Sequence, residues 1–312
     1  MLAWLAGHRF LSQRQVVEIV FGGSAQTAGS KVVMTQRLLR DLRQRGLVGA
    51  TARQVGGLGG GSARMAYFLT AHGCRVAGTL VPGLPGQRRE RVRGTFLLAH
   101  AAMGVDVALA FRRSARTHEG HELVAWEADW QVALKLGPSK VVPDARLVYC
   151  SKRLELTAFV EVDLGTEGTR FFQRKVRRYI DLRHDEQAWL GELTYWPYVL
   201  TVTRSHARAA LLCQATEAVL ESEYGDRAGD GAFRFAALSE MAGPEGPLGP
   251  IWLVPGKTGR QPLLDDDSAA ECVADEAHAR VASDVGQPLA PGKEQEPVAN
   301  LNNRDPELRG DA

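Results

Sequence analysis

Residues 154–163 read LELTAFVEVD, and this stretch restricts the fold more than any other. It is rich in Val, Phe and Thr and becomes wholly apolar at Ala158–Val160. A strand of that kind is covered on both faces, so it belongs inside a sheet with further layers on either side. The preceding run, Val141–Tyr149, reads as a second strand, and the polar connection Ser151-Lys152-Arg153 makes the pair a hairpin. Later segments continue the alternation. A helical stretch runs from Thr166, as its cap, to about Arg183. Pro197–Thr203 reads as a strand, Ser205 caps a helix over His206–Glu223, and Ala232–Ala236 reads as an edge strand. The order predicts an α+β or α/β sandwich.

The acids of the hairpin are its chemical content. Asp144 follows Pro143 near the start of the first strand, and Glu161 and Asp163 stand two apart at the end of the second. A period of two puts Glu161 and Asp163 on one face. Three converging carboxylates repel one another unless a cation neutralises them, and an oxygen-rich set of this kind suits Mg²⁺ or Mn²⁺. The competing reading makes them solvated strand-end charges, with Pro-Asp as a turn pair. The helix that follows carries Arg170, Arg174, Lys175, Arg177 and Arg178, with Phe171, Phe172, Val176, Tyr179, Ile180 and Leu182 expected on its buried side. Upstream, Glu122–Val132 is expected as a strand with Trp126 and Trp130 in the core, and Glu127 as either a further acid of the site or a surface charge.

The net charge of +2 conceals an uneven distribution. Residues 1–80 hold ten basic residues against Glu18 and Asp41, whereas residues 256–312 hold six basic and twelve acidic ones. A basic N-terminal segment points to a polyanionic partner, most simply nucleic acid. Its plan is three helices, a strand from Leu47, the glycine run Gly56–Gly61 and a returning strand over Arg64–Thr70. That is the plan of a winged helix, whose third helix enters the major groove. Lys31, Thr35, Gln36, Arg37, Arg40 and Arg43 of that helix, with Arg53 and Arg64 of the wing, are the candidate DNA contacts. The other readings are a merely solvated basic face or a dimerisation module.

Domains are expected at residues 1–80, a Pro/Gly-punctuated linker at 81–87, an α/β domain at 88–240 and a disordered acidic tail at 256–312. Several classes are disfavoured. Cys74, Cys150, Cys213 and Cys272 form no CxxC pair, which argues against a zinc ribbon or a disulfide framework and for a cytoplasmic setting. No apolar run reaches membrane-spanning length. The glycine run is followed by a strand pattern, and Gly256-Lys257-Thr258 has Ile251 where a phosphate-binding loop begins with glycine, so no nucleotide site is expected. His118-Glu119-Gly120-His121-Glu122 lacks the zincin spacing and reads as a loop.

Two resemblances rest on these residues. Pro143-Asp144 with Glu161-Val162-Asp163 resembles the PD-(D/E)xK nuclease signature, which implies a restriction-endonuclease-like fold, Asp144 and Glu161 as metal ligands and Asp163 as a third. Asp163 stands where that pattern has lysine, which moves the basic role to Lys175 on the next helix, with Lys152 a second candidate. The resemblance therefore implies either metal-dependent DNA cleavage or a degenerate, non-cleaving scaffold. The combination of RLLRDLRQRGLV from Arg37, Tyr67–Gly73 and the segment Pro143–Tyr179 is similar to the replication-relaxation family. This implies a role in replication, relaxation or mobilisation of a plasmid or mobile element. Double-stranded DNA is the partner expected from the basic winged helix, with other plasmid replication or mobilisation proteins and a second copy of the chain as further candidates.

Overall fold

A computed structural model describes residues 1–51, 65–81, 83–84, 95–136, 141–152, 154–189, 193, 195–225 and 231–264. Arg53, Arg64, the glycine run, Pro85–Gln87 of the linker and the chain after residue 264 lie outside the described residues.

The N-terminal module comprises α1 (Leu2–His8), β1 (Leu11–Ser12), α2 (Gln13–Phe21), α3 (Ala28–Gln44), β2 (Val48–Ala50), β3 (Ala66–Leu69) and α4 (Ala71–Gly78). The three strands form an antiparallel sheet in the order β1-β3-β2. Ser12 starts α2 through a capping box with Gln15, satisfying backbone N–H groups that the helix leaves unpaired. Thr27 and Thr70 cap α3 and α4 by accepting a single backbone N–H each, from Ser30 and Gly73.

On α3 the buried stripe is narrower than expected. Thr35 and Leu39 are buried and Leu38 and Leu42 half-buried, while Val32 and Val33 are exposed. Thr35 is fully enclosed, so its expected place among the DNA contacts is corrected. Positions four apart, 35 and 39, share the side that leans on the module, and Thr35 lies on that side. Gln36, Arg37, Arg40 and Arg43 are exposed and Lys31 is half-exposed.

The second sheet has five strands in the order β4-β5-β6-β7-β8: β4 (Glu122–Ala128), β5 (Ala145–Cys150), β6 (Glu155–Asp163), β7 (Tyr198–Thr203) and β8 (Phe233–Ala237). The β4–β5 and β5–β6 pairs are antiparallel, and β6–β7 and β7–β8 are parallel. The expected strand over Glu122–Val132 stops at Ala128, and α6 (Asp129–Leu136) follows. There the Gln131 side chain accepts a hydrogen bond from the Ala128 N–H at 3.0 Å, as a helix start requires. One face of the sheet is covered by α5 (Thr95–Thr117). The other carries α7 (Thr169–His184) and α8 (His206–Tyr224), with Val176, Tyr179, Leu212 and Val219 in its core. Gly168, not Thr166, is the N-cap of α7, whereas Ser205 caps α8 as its position suggests.

The helix α5 belongs to both halves of the fold. Met103, Val107, Ala110 and Phe111 pack on the sheet, while Val105 and Leu109 enter the core of the N-terminal module. Polar contacts reinforce this seam: Gln15 Nε2 donates to Ala102 O at 2.8 Å and to Asp106 at 2.9 Å, and Arg112 donates to Ile19 O at 2.9 Å. Of the residues expected as the start of the tail, 256–260 are exposed and 261–264 pack. Gln261 pairs with Trp252, and Leu263 is buried beside the sheet. The segment around Leu253 adds to β8 through the Phe235–Leu253 bridge and covers the sheet's edge, with Gln261 pairing onto its outer side.

Candidate acidic site

The register of β5 on β6 brings the acids together. Ala145 pairs with Val160, so the chain just before β5 lies opposite Glu161. The Asp144 carboxylate turns onto the edge of β6, where Oδ2 accepts a hydrogen bond from the Val162 N–H at 2.8 Å. His100 on α5 comes from the opposite face. Its Nε2 lies 3.3 Å from the same Asp144 oxygen and 3.1 Å from Val162 O.

Glu161 and Asp163 share the α7–α8 face, as the period of two requires, but two different helices take them. Glu161 is 2% exposed, and its two oxygens are occupied by Lys175 Nζ and Tyr179 Oη. Lys175 and Tyr179 are four apart on α7, which sets them over the same point of the strand. Asp163, one step further along β6, is held by Arg208 in the first turn of α8. Arg208 donates from Nε at 2.9 Å and Nη2 at 2.8 Å, and the Gly165 N–H adds a third hydrogen bond at 2.6 Å.

The electrostatics follow from this geometry. Burial pushes the Glu161 carboxyl up to about 7; nearby Asp144 adds to the rise, while Lys175 and Tyr179 act against it. Burial would lower Lys175, but Glu161 and Asp144 outweigh it and hold the ammonium above its ordinary value. Asp144 would be raised by burial, yet the His100 hydrogen bond and charge, with Lys175 and the Val162 N–H, leave it below the usual carboxylate range. His100 is raised in turn, its desolvation outweighed by Asp144 and Glu161. Burial, followed by Glu161, pushes the Tyr179 hydroxyl well up, so it stays a donor. The site is thus a compact array in which protein cations balance the acids.

Asp144, Glu161 and Lys175 are therefore brought together. Asp163 faces the same way but is committed to Arg208. Glu127 is apart, paired with Lys135 and with Arg146 at 2.7 Å. Lys152 lies at the far end of the hairpin against Glu119. His100, Tyr179 and Arg208 carried no signal in the sequence beyond residue type: a lone histidine on a long helix, an apparent core aromatic and a helix-start arginine. Beside Asp144 a cleft of about 100 Å³ opens between α1, α5 and the sheet, lined by His8, His100, Trp126, Asp129 and Val162 among others.

The donor set bears on the expected divalent ion. Among the described residues no group of three or more His, Cys, Asp or Glu side chains is placed to hold a metal. The three-carboxylate set is not assembled, because Arg208 occupies Asp163. Glu161 likewise has both oxygens engaged, by Lys175 and Tyr179, which leaves Asp144, held by His100 and the Val162 N–H, as the acid nearest the cleft. Among the described residues no helix is long and apolar enough to cross a membrane.

Comparison with known proteins adds one match. A family model described as replication-relaxation covers residues 2–211, which spans the N-terminal module, the acidic hairpin, α7 and the start of α8. No curated protein and no solved structure matches the chain.

Proposed function

The chain belongs to the replication-relaxation family, and from that premise we propose that it is a DNA-binding protein acting in the replication or relaxation of a plasmid or other mobile element. The observation that carries this reading is α3. Gln36, Arg37, Arg40 and Arg43 project from its exposed side, and among the described residues Arg37, Arg40 and Arg43 have no carboxylate partner. The helix precedes the β2–β3 pair, an order that supports the winged-helix reading, with α3 in the major groove and the wing on the backbone. Fluorescence anisotropy on labelled duplex DNA tests it. Binding is expected to weaken with salt, and Arg37→Ala with Arg40→Ala to reduce both the affinity and the salt slope. Wild-type protein indifferent to duplex DNA, or variants bound as tightly as wild type, would overturn it.

A second reading, a metal-dependent nuclease centre, is favoured by one contact, Lys175 against Glu161 beside Asp144. The mixed sheet, antiparallel through β6 and parallel beyond it, supports the same reading. Asp144, and Glu161 once it exchanges Lys175 for the ion, would hold Mg²⁺ or Mn²⁺, which when bound would supply an activated water and stabilise a leaving oxygen. The chain's own part is to present Lys175 as a fixed cation near a scissile phosphate, to orient Glu161 through the Tyr179 hydroxyl and to hold Asp144 ionised through His100. A supercoiled-plasmid nicking assay with each metal decides between this and a non-cleaving scaffold. Nicking by wild type that is lost in Glu161→Ala and Lys175→Ala supports the nuclease; no nicking by either metal leaves DNA binding alone.

A further inference from the structure

Phe171 is read from sequence as a core residue of α7, but the structure turns it outward. It is 46% exposed, while Phe172, Val176, Tyr179 and Ile180 fill the buried side. A single exposed ring needs no partner on its own account; its surroundings are what point to one. The Arg174 guanidinium lies over the ring at 5.3 Å from its centroid, and Arg170 and Arg178 are exposed on the same helix. Among the described residues none of these three arginines has a carboxylate partner, although Arg177 is paired with Glu223. Glu167, exposed on the turn before the helix, limits the basic surface at its N-terminal end. Lys175, which contacts Glu161, lies one helical turn from Phe171.

We propose that Phe171 and Arg174 form a stacking station for an unpaired base of single-stranded DNA, with Arg170 and Arg178 on the flanking phosphates. An exposed aromatic ring beside unpaired arginines is the arrangement that holds single strands, because every base offers a π-face and the backbone a line of charge. Bases within a duplex are stacked on one another and cannot reach an isolated ring, whereas a melted or nicked strand can. The inference rests on the DNA-binding reading above but assigns a different surface and a different form of DNA to it.

The test uses the full chain and two probes, a labelled single strand of about 20 nucleotides and mixed sequence, long enough to cover one such site, and the duplex of the same sequence. Phe171→Ala is expected to weaken single-strand binding at least about 5-fold while leaving duplex binding unchanged, and Phe171→Trp to retain both. Arg174→Gln is expected to lower the salt slope of single-strand binding by about one. Because Phe171 is exposed, its replacements should melt with the wild type, which separates lost binding from lost folding. Failure of wild type to bind the single strand, an unaffected Phe171→Ala, or equal losses on both probes would overturn the inference. Single-strand binding that depends on Phe171 in a protein that ignores duplex DNA would sustain it and defeat the α3 reading instead.

Discussion

Arg208 grips Asp163 with two parallel hydrogen bonds, from Nε at 2.9 Å and Nη2 at 2.8 Å, and both side chains are nearly buried. The pair ties the end of β6 to the first turn of α8 and takes Asp163 out of the acidic array. Removing one partner of such a pair strands a desolvated charge, which costs far more than replacing both. Arg208→Ala is expected to lower stability by about 3–5 kcal/mol in urea denaturation, and adding Asp163→Asn to restore part of the loss. Equal stability of the single and double variants would refute this account of the pair.

Tyr179→Phe probes the environment of Glu161. The change removes one hydroxyl and leaves a buried carboxylate oxygen without its donor, at an expected cost of about 1–3 kcal/mol. The Tyr179 hydrogen bond acts against the rise of Glu161, so the variant's carboxyl should titrate above the value of about 7. A raised carboxyl contributes stability that is complete below its ordinary value and is lost as pH rises through the folded one. The deficit of Tyr179→Phe relative to wild type should therefore stay level in acid and grow as pH rises through about 7, where the wild-type carboxyl has ionised and the variant's has not. A deficit independent of pH would place Tyr179 outside the electrostatics of the site.

His8 offers a second handle on pH. Its ring is stacked between Trp4 and Trp126, with centroids at 5.1 and 5.8 Å, and burial pushes it down to about 4. A lowered histidine stays neutral when folded but takes a proton when unfolded, so stability falls as pH drops from 6.5 towards 4. His8 retains some solvent contact, which places its share at about 1–3 kcal/mol, less than the full shift would imply. His8→Phe keeps the stack and cannot be protonated. Denaturation from about pH 7 to pH 4 should show a shallower decline for the variant, and parallel curves would be the contrary result.

Leu109→Ala tests whether α5 joins the two halves of the chain. Leu109 is buried in the N-terminal module's core, on the helix whose other face packs on the five-stranded sheet. The truncation is expected to cost about 2–5 kcal/mol. Hydrogen exchange should show protection falling in β3 and in β6 together. A loss confined to β3 would mean that the halves unfold separately.

Much of this organisation was legible in residue order. Alternation placed Glu161 and Asp163 on one face, the apolar run of β6 required cover on both sides, and Ser12 and Ser205 marked helix starts. All of these depend on neighbours a few residues away, where backbone geometry leaves few choices. Contacts across long separations were not legible. Periodicity says which way Asp163 points but not that Arg208, 45 residues on, reaches it before any cation, nor that His100 approaches Asp144 from far upstream on another helix. The same limit applies to Thr35 and Phe171. Each sits on a helix with more apolar positions than its neighbours can cover, and packing alone determines which of them is enclosed. Local order thus set the strands, the caps and the facing of the acids, while the meeting of sheet and helices chose their partners, because burial and charge pairing are properties of surfaces that only the folded chain brings together.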